Sequence, residues 1–167
     1  MRYLTEPLDS KHDRQRFFCG ENLLDIYIRQ QAKQDVKRKL SACFVLVDKD
    51  TKRISGYYTL SSNCIASEFI PDSFRKNLPN SYSSIPTILI GRLAIDADFQ
   101  GKGVGKILLI DSLKRCYDTS DSIGAFAVIV DPLDNEAERF YDKYGFIKLP
   151  DSEKMFLPMK TISQLFV

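Results

Sequence analysis

The sequence predicts a domain of mixed α and β structure, of the α+β or α/β class, and three observations predict it. Residues 42–47 (ACFVLV) and 54–60 (ISGYYTL) are two β-rich runs flanking a polar turn. Residues 87–95 (TILIGRLAI) and 125–130 (AFAVIV) are apolar runs of strand length. Each of these leads into a helical pattern, over 104–117 and 135–144. A hairpin followed by strand, helix, strand and helix is the order such domains show.

Taken in order, residues 23–36 place Leu24, Ile28, Ala32 and Val36 on an even i, i+4 ladder, which predicts an amphipathic helix. The β-branched and aromatic runs at 42–47 and 54–60, separated by polar 48–53, predict an antiparallel hairpin. Residues 64–84 carry Pro71, Pro79 and a serine cluster, and read as loop with short helical turns. The run 87–95 suits a strand buried on both faces, with Gly91 and Arg92 marking a bulge or functional break. In the second helix Asn135 and Glu138 read as a capping-box start, and Gly145 is placed to close the helix at C′. Two short strands are expected near Phe146 and over 155–157.

The chain has 167 residues, the size of one domain spanning 1–167, with no repeat, low-complexity tract or linker. Such a chain buries about 70% of its unfolded surface and needs no staple to hold a core. Four cysteines, at 19, 43, 64 and 116, form no CxxC pair, and there is one histidine. That pattern argues against a zinc site or a disulfide scaffold, and for mostly buried thiols in a reducing compartment. Residues 1–10 hold three charges and no apolar run, and no stretch approaches the roughly 20 apolar residues of a membrane span. The reading is cytoplasmic, with no membrane association and no metal. Net charge is +2, too small to announce a nucleic-acid binder. Lys33, Lys37, Arg38 and Lys39 cluster, and Arg75 and Lys76 follow later. The plain reading of the first cluster is a solvated face or a complement to a helix dipole.

The chemistry concentrates in Gln100, Gly101, Lys102, Gly103, Val104, Gly105 and Lys106, between a predicted strand and a predicted helix. Glycines let a ligand approach the backbone, and the free amides of a first helical turn attract anions. A phosphate or pyrophosphate is the natural guest. Gly105-Lys106 is followed by Ile107, not Ser or Thr, so a magnesium-dependent NTPase loop is excluded. Lys106 also stands where a dinucleotide fingerprint needs its last glycine.

Q-x-x-G-x-G, as Gln100, Gly103 and Gly105, resembles the pyrophosphate motif of the GNAT superfamily of N-acetyltransferases. The run Ala137, Phe140, Tyr141, Gly145 and Phe146 matches a second hallmark, A-x-x-FY-x-x-x-GF. Phe18-Cys19-Gly20, Leu24-Asp25, 56–60 (GYYTL), 91–96 (GRLAID) and 156–159 (FLPM) extend the likeness to GNAT-type toxins of bacterial type II toxin–antitoxin systems. The resemblance covers about 17–162; Pro132 departs from the small residue more common after that strand.

The resemblance implies a GNAT fold, with a central mixed, mostly antiparallel sheet flanked by helices, and acetyl-CoA as cofactor with CoA as product. It implies that Leu93, Ala94 and Ile95 offer backbone groups to the pantetheine arm and an N–H to the oxyanion. Residues 100–105 would cradle the pyrophosphate. Lys102 and Lys106 would pair with phosphates or be ordinary solvated lysines. Asn135 would hydrogen-bond the pantetheine arm or cap its helix. Tyr141 would protonate the departing thiolate, as a phenol with pKa about 10 facing a thiol of about 8.5. No general base is evident: His12 lies in a polar segment outside every motif and reads as a surface residue. An α-amine with pKa about 7.7–8.0 is roughly one-tenth neutral at pH 7, a lysine less than a thousandth, so a weak-base enzyme favours α-amines.

The toxin resemblance implies acetylation of the α-amine of aminoacyl-tRNA, which blocks translation. It also implies a ribbon-helix-helix antitoxin partner and a homodimer. The alternatives are acetylation of a small amine, peptide or protein amine, and a non-catalytic CoA-binding or regulatory module.

Overall fold

The chain is described by a computed structural model over residues 2–167. Seven strands lie in the order β1-β2-β3-β4-β5-β7-β6. They are β1 (Glu6–Pro7), β2 (Ala42–Val47), β3 (Ile54–Ala66), β4 (Ser84–Ile95), β5 (Ala127–Val130), β6 (Ile147–Lys148) and β7 (Met155–Pro158). β4 and β5 run parallel, while β1–β2, β2–β3, β5–β7 and β6–β7 are antiparallel. This is the expected mixed, mostly antiparallel sheet. The helices are α1 (Asn22–Ile26), α2 (Ala32–Lys37), α3 (Asp72–Arg75), α4 (Val104–Thr119), α5 (Asn135–Lys143) and α6 (Met159–Ser163). Contacts divide the chain into two compact units: the part up to Ser61 with Gly91–Arg115, and Ser62–Ile90 with Cys116–Val167.

In the first unit the hairpin pairs Ala42 with Leu60 through Leu46 with Gly56, then shifts so that Val47 meets Ile54. Ser55 is left over by that shift. Its carbonyl accepts from the Asp96 amide at 2.9 Å, and its hydroxyl donates to the Leu46 carbonyl at 3.1 Å. The 23–36 ladder is not a plain α-helix: a π turn, Tyr27–Gln31, separates α1 from α2. Positions four apart drift by about 40° per step on an α-helix of 3.6 residues per turn. The wider turn takes up that drift, which keeps Ile28 and Ala32 fully buried. They pack with Phe17, Tyr27, Val45, Tyr57 and Ala94.

Buried carboxylates tie this unit together. Asp111 on α4 accepts from the Leu4 amide (2.7 Å), the Tyr58 hydroxyl (2.7 Å) and the Thr5 hydroxyl. Arg115 donates to the Thr5 carbonyl at 2.9 Å, and its guanidinium lies between the rings of Tyr3 and Phe44. His12 corrects the sequence reading. Its side chain is only 4% exposed, its Nδ1 accepts from the Asp9 amide, and its Nε2 contacts Glu6 Oε1 at 2.6 Å.

In the second unit β3 continues to Ala66, past the expected start of the loop, and short turns follow as predicted. β5 is buried along its whole length, between β4 on one side and β7 on the other. Ile65, Ile70, Ile85, Ala127, Ile129, Leu149 and Phe156 form its core. β4 runs unbroken through Gly91 and Arg92. It is not buried on both faces: Ile85, Thr87, Ile90 and Ala94 are buried, and the residues between them are partly or fully exposed. The inward positions change from odd to even numbers between Thr87 and Ile90, a local irregularity next to the expected break. Of the four cysteines, Cys43 and Cys116 are buried, Cys19 is half-buried and Cys64 is exposed.

Candidate active site

On the first unit, Leu93, Ala94 and Ile95 end β4, and a 3₁₀ turn (Ala97–Phe99) carries the chain towards α4. Asp96, 2% exposed, organises this turn. Its carboxylate accepts from the amides of Phe18 and Asp98, both at 3.0 Å, and from Arg53 at 3.1 Å. Arg53 also reaches Asp98 at 2.9 Å. The Ala97 amide donates back to the Phe18 carbonyl at 2.8 Å. Gln100 was expected in the phosphate cradle; its side-chain amide instead donates to the carbonyls of Cys19 and Ile95, both at 2.9 Å. That side chain fastens the loop to the strand end and leaves the loop backbone to face outward.

The loop has the features an anion site needs. Gly101 and Gly103 sit at φ 75° and 80°, and a Cβ on either would meet nothing within 4 Å. Among the described residues no acceptor takes the amides of residues 101–106; the first helical bond is Ile107 to Gly103, at 3.3 Å. A row of open amides at the N-terminus of a sixteen-residue helix fits a pyrophosphate. Val104 and Gly105 open α4 half-buried, and Lys106 is exposed on its first turn. Lys102 lies 5.8 Å from the centre of the Phe99 ring, so part of its contact is with its own loop.

On the second unit, α5 carries Asn135 and Tyr141. The cap is Asp134, not Asn135: its Oδ1 accepts from the Ala137 amide at 2.8 Å. Asn135 is the first helical residue, exposed, with its amide free for a ligand. At the other end the Phe146 amide donates to the Tyr141 carbonyl (3.2 Å) and the Gly145 amide to that of Asp142 (3.0 Å). With Gly145 at φ 93°, this is a Schellman closure. Its usual apolar contact joins the rings of Phe146 and Tyr141, 5.2 Å apart at 63°. Phe140 packs edge-on against Tyr141 at 5.2 Å and against Tyr144 at 5.1 Å. The second sequence hallmark is thus a helix end built around one tyrosine.

Tyr141 is 8% exposed, and burial pushes its phenol above the ordinary range, so it is fully protonated at neutral pH. The other buried tyrosine hydroxyls all donate within the protein: Tyr27 to Asp35, Tyr57 to the Leu24 carbonyl and Tyr58 to Asp111. Tyr141 has no such acceptor among the described residues. It is also not sealed off, because among the described residues Thr87 Oγ1 is the one enclosed side-chain oxygen or nitrogen without a partner. Burial pushes the thiols of Cys19, Cys43 and Cys116 up to about 12, which removes them as nucleophiles. Both nitrogens of His12 are engaged, which removes it as a general base. No helix among the described residues is long and apolar enough to cross a membrane.

Sequence reasoning missed Asp96, Arg53 and Asp134, which shape the loop and the start of α5 through other residues, and marked Arg92 only as a bulge or functional break. Asp134 was legible, as the acid three residues before Ala137; the Asp96 ties span up to 78 positions and have no local signature.

A family model described as an acetyltransferase (GNAT) domain matches residues 83–160. A tRNA-acetylating toxin of Mycobacterium tuberculosis (strain ATCC 25618 / H37Rv) is 38% identical over 145 residues, 86% of this chain and 84% of that one. The solved structure of AtaT complexed with acetyl-methionyl-tRNAfMet superposes with a TM-score of 0.89 at 31% identity, covering 98% of each chain. A mutant AtaT toxin bound to the C-terminus of the antitoxin AtaR and acetyl-CoA superposes at 0.82 with 28% identity, covering 98% of this chain and 97% of that one. The family match, with 38% identity over 86% of the chain and a superposition covering 98% of it, shows that the chain belongs to the GNAT acetyltransferase family.

Proposed function

We propose that this chain transfers the acetyl group of acetyl-CoA to the α-amine of aminoacyl-tRNA, and so acts as a toxin that blocks translation. The observation that carries the chemistry is Tyr141, the one buried tyrosine whose hydroxyl donates to nothing among the described residues. The acceptor class draws support from the tRNA-acetylating relative and from AtaT complexed with acetyl-methionyl-tRNAfMet.

Acetyl-CoA supplies a thioester for the amine to attack and a thiolate as leaving group. Tyr141 would give its phenolic proton to the sulfur as the carbon–sulfur bond breaks, and the proton released by the attacking amine would return to the phenolate, leaving an amide, the CoA thiol and a neutral tyrosine. Burial raises the phenol and makes it a weaker acid. The same desolvation disfavours the thiolate, so the transfer is less uphill than the phenol alone suggests. The open amides of residues 101–106 would hold the pyrophosphate, with Lys102 and Lys106 adding charge. Leu93, Ala94 and Ile95 would offer backbone groups to the pantetheine arm and an N–H to the oxyanion, and Asn135 a side-chain amide. With His12 occupied, the enzyme relies on an acceptor that is already partly neutral, which favours an α-amine over a lysine.

This reading includes a ribbon-helix-helix antitoxin, a homodimer and a cytoplasmic setting. The antitoxin draws support from AtaT bound to the C-terminus of AtaR. The reducing setting draws support from four free cysteines.

The test is acetyl transfer from acetyl-CoA to total charged tRNA, with Tyr141→Phe as control. Acetylated aminoacyl-tRNA from the wild type, reduced about 10²–10⁴-fold in the variant with acetyl-CoA binding kept, is the expected result. CoA release with polyamines or peptides but not with tRNA would retain the acetyltransferase and discard the toxin.

A further inference from the structure

Arginines that are half-buried in this fold are spoken for, with one exception. Arg29 donates to the Phe17 carbonyl at 3.1 Å. Arg53 holds Asp96 and Asp98, and Arg115 holds Asp111 and Thr5. Arg92, half-buried on β4, makes no ion pair and no hydrogen bond among the described residues. Its guanidinium carbon instead lies over the Tyr27 ring, 3.5 Å from the ring centre, the distance of a stacking contact. Tyr27 sits in the π turn and is itself fixed, stacked on Tyr57 at 6.4 Å and 18°, with its hydroxyl on Asp35 at 3.0 Å. Asp35 accepts from the Tyr27 hydroxyl and the Gln31 side-chain amide, and no ion pair joins it to Arg92 among the described residues.

A charge partly removed from water without a partner is costly unless a ligand completes it. Stacking orients the plane and leaves the edge donors free, a preorganised fork for a phosphate or carboxylate. The residue directly precedes Leu93, Ala94 and Ile95, where the proposed reaction takes place. An aminoacyl ester carries no free carboxylate, so the anion nearest its amine is the terminal phosphodiester.

We infer that Arg92 is the anchor for the acceptor end: its fork binds the phosphate of the terminal nucleotide and thereby presents the α-amine for transfer. This rests on the aminoacyl-tRNA reading above. Tyr27 and the π turn act as the positioning support, holding the guanidinium plane from behind.

The experiment compares wild type, Arg92→Gln and Arg92→Lys on charged tRNA and on a phosphate-free aminoacyl-adenosine, with acetyl-CoA affinity measured separately. In Arg92→Gln, kcat/KM for charged tRNA should fall about 10- to 100-fold, mainly through KM, the size of a lost charged hydrogen bond. The ratio of the two acceptors should fall by the same factor. Arg92→Lys, which keeps the charge and loses the fork, should recover part of the loss. Because Arg92 makes no ion pair or hydrogen bond among the described residues and gives up only its stacking on Tyr27, the melting temperature should stay within a few degrees. Equal losses on both acceptors would make Arg92 structural, and weaker acetyl-CoA binding would give its fork to the cofactor's phosphates; either overturns the inference. Transfer to tRNA that Arg92→Gln leaves unchanged sinks this assignment alone. A wild type that never acetylates tRNA sinks the proposed function, and this inference with it.

Discussion

Replacing Gly145 by alanine tests whether the end of α5 positions Tyr141 or merely stops a helix. Gly145 stands at φ 93°, where a side chain costs roughly 1–2 kcal/mol. A Cβ there would lie 3.7 Å from Leu157 Cδ1, an ordinary contact, so conformation rather than collision sets the loss. Opening the turn would not escape it, because the Phe146 and Gly145 amide bonds are worth about 0.5–1.5 kcal/mol each. For a chain of this size the melting temperature should fall about 2–8 °C. The Phe146 amide holds the Tyr141 carbonyl and the Phe146 ring holds the Tyr141 ring, so the phenol should lose its fixed direction. The expectation is a several-fold lower kcat with acetyl-CoA affinity changed less than twofold, read by calorimetry and steady-state transfer. An unchanged melting temperature would refute the strained closure. A full stability loss with kcat intact would refute the positioning role.

Asp134→Ala should cost about 1 kcal/mol by denaturant melt through loss of the Ala137 cap, whereas Asn135→Ala should leave stability alone and weaken acetyl-CoA. If the two swap effects, the cap is misassigned. Asp111→Ala strands Tyr58, Thr5 and Arg115 and should lose about 3–5 kcal/mol; a loss below 1 kcal/mol by chemical denaturation would mean water replaces the carboxylate. With a stable α-amine acceptor, kcat/KM should rise through the amine's pKa, about 7.7–8.0, and stay level up to about pH 10. Burial places Tyr141 above its ordinary value, so the donor keeps its proton throughout that range; a falling limb below pH 9 would contradict it. Transfer to charged tRNA should weaken steeply from 50 to 200 mM salt if phosphates carry the binding; a flat salt response would count against an RNA acceptor.

What was legible in the sequence was local. The hairpin, the 87–95 strand, the two later helices, the glycine loop and the closing Gly145 all follow from periodicity or from one residue's backbone preference. The π turn was half-legible, since an even four-residue ladder suits neither ideal helix for long. What stayed hidden depends on distant partners: Asp111 with Thr5, 106 positions apart, and Gln100 with Cys19, 81 apart. Gln100 shows the limit well. Its place in the motif was evident, but only the fold reveals that the side chain is tied to the Cys19 and Ile95 carbonyls while the loop amides stay open. His12 was misread although its partners Asp9 and Glu6 lie only three and six positions away, because polar neighbours in sequence do not disclose how the segment folds back on the ring.

The closure at the end of α5 also bears on how such chains are told apart. Nearly everything in the Phe140-to-Phe146 hallmark is explained by ending a helix well: the glycine turns the chain, and the rings seal the turn. A phenylalanine at position 141 would satisfy the same grammar and lack a single oxygen. If Tyr141 is the proton donor, as proposed, that change would remove activity without leaving a mark on shape or core. On the role proposed for Tyr141, the difference between an enzyme and a silent binder of the same fold would come down to one atom.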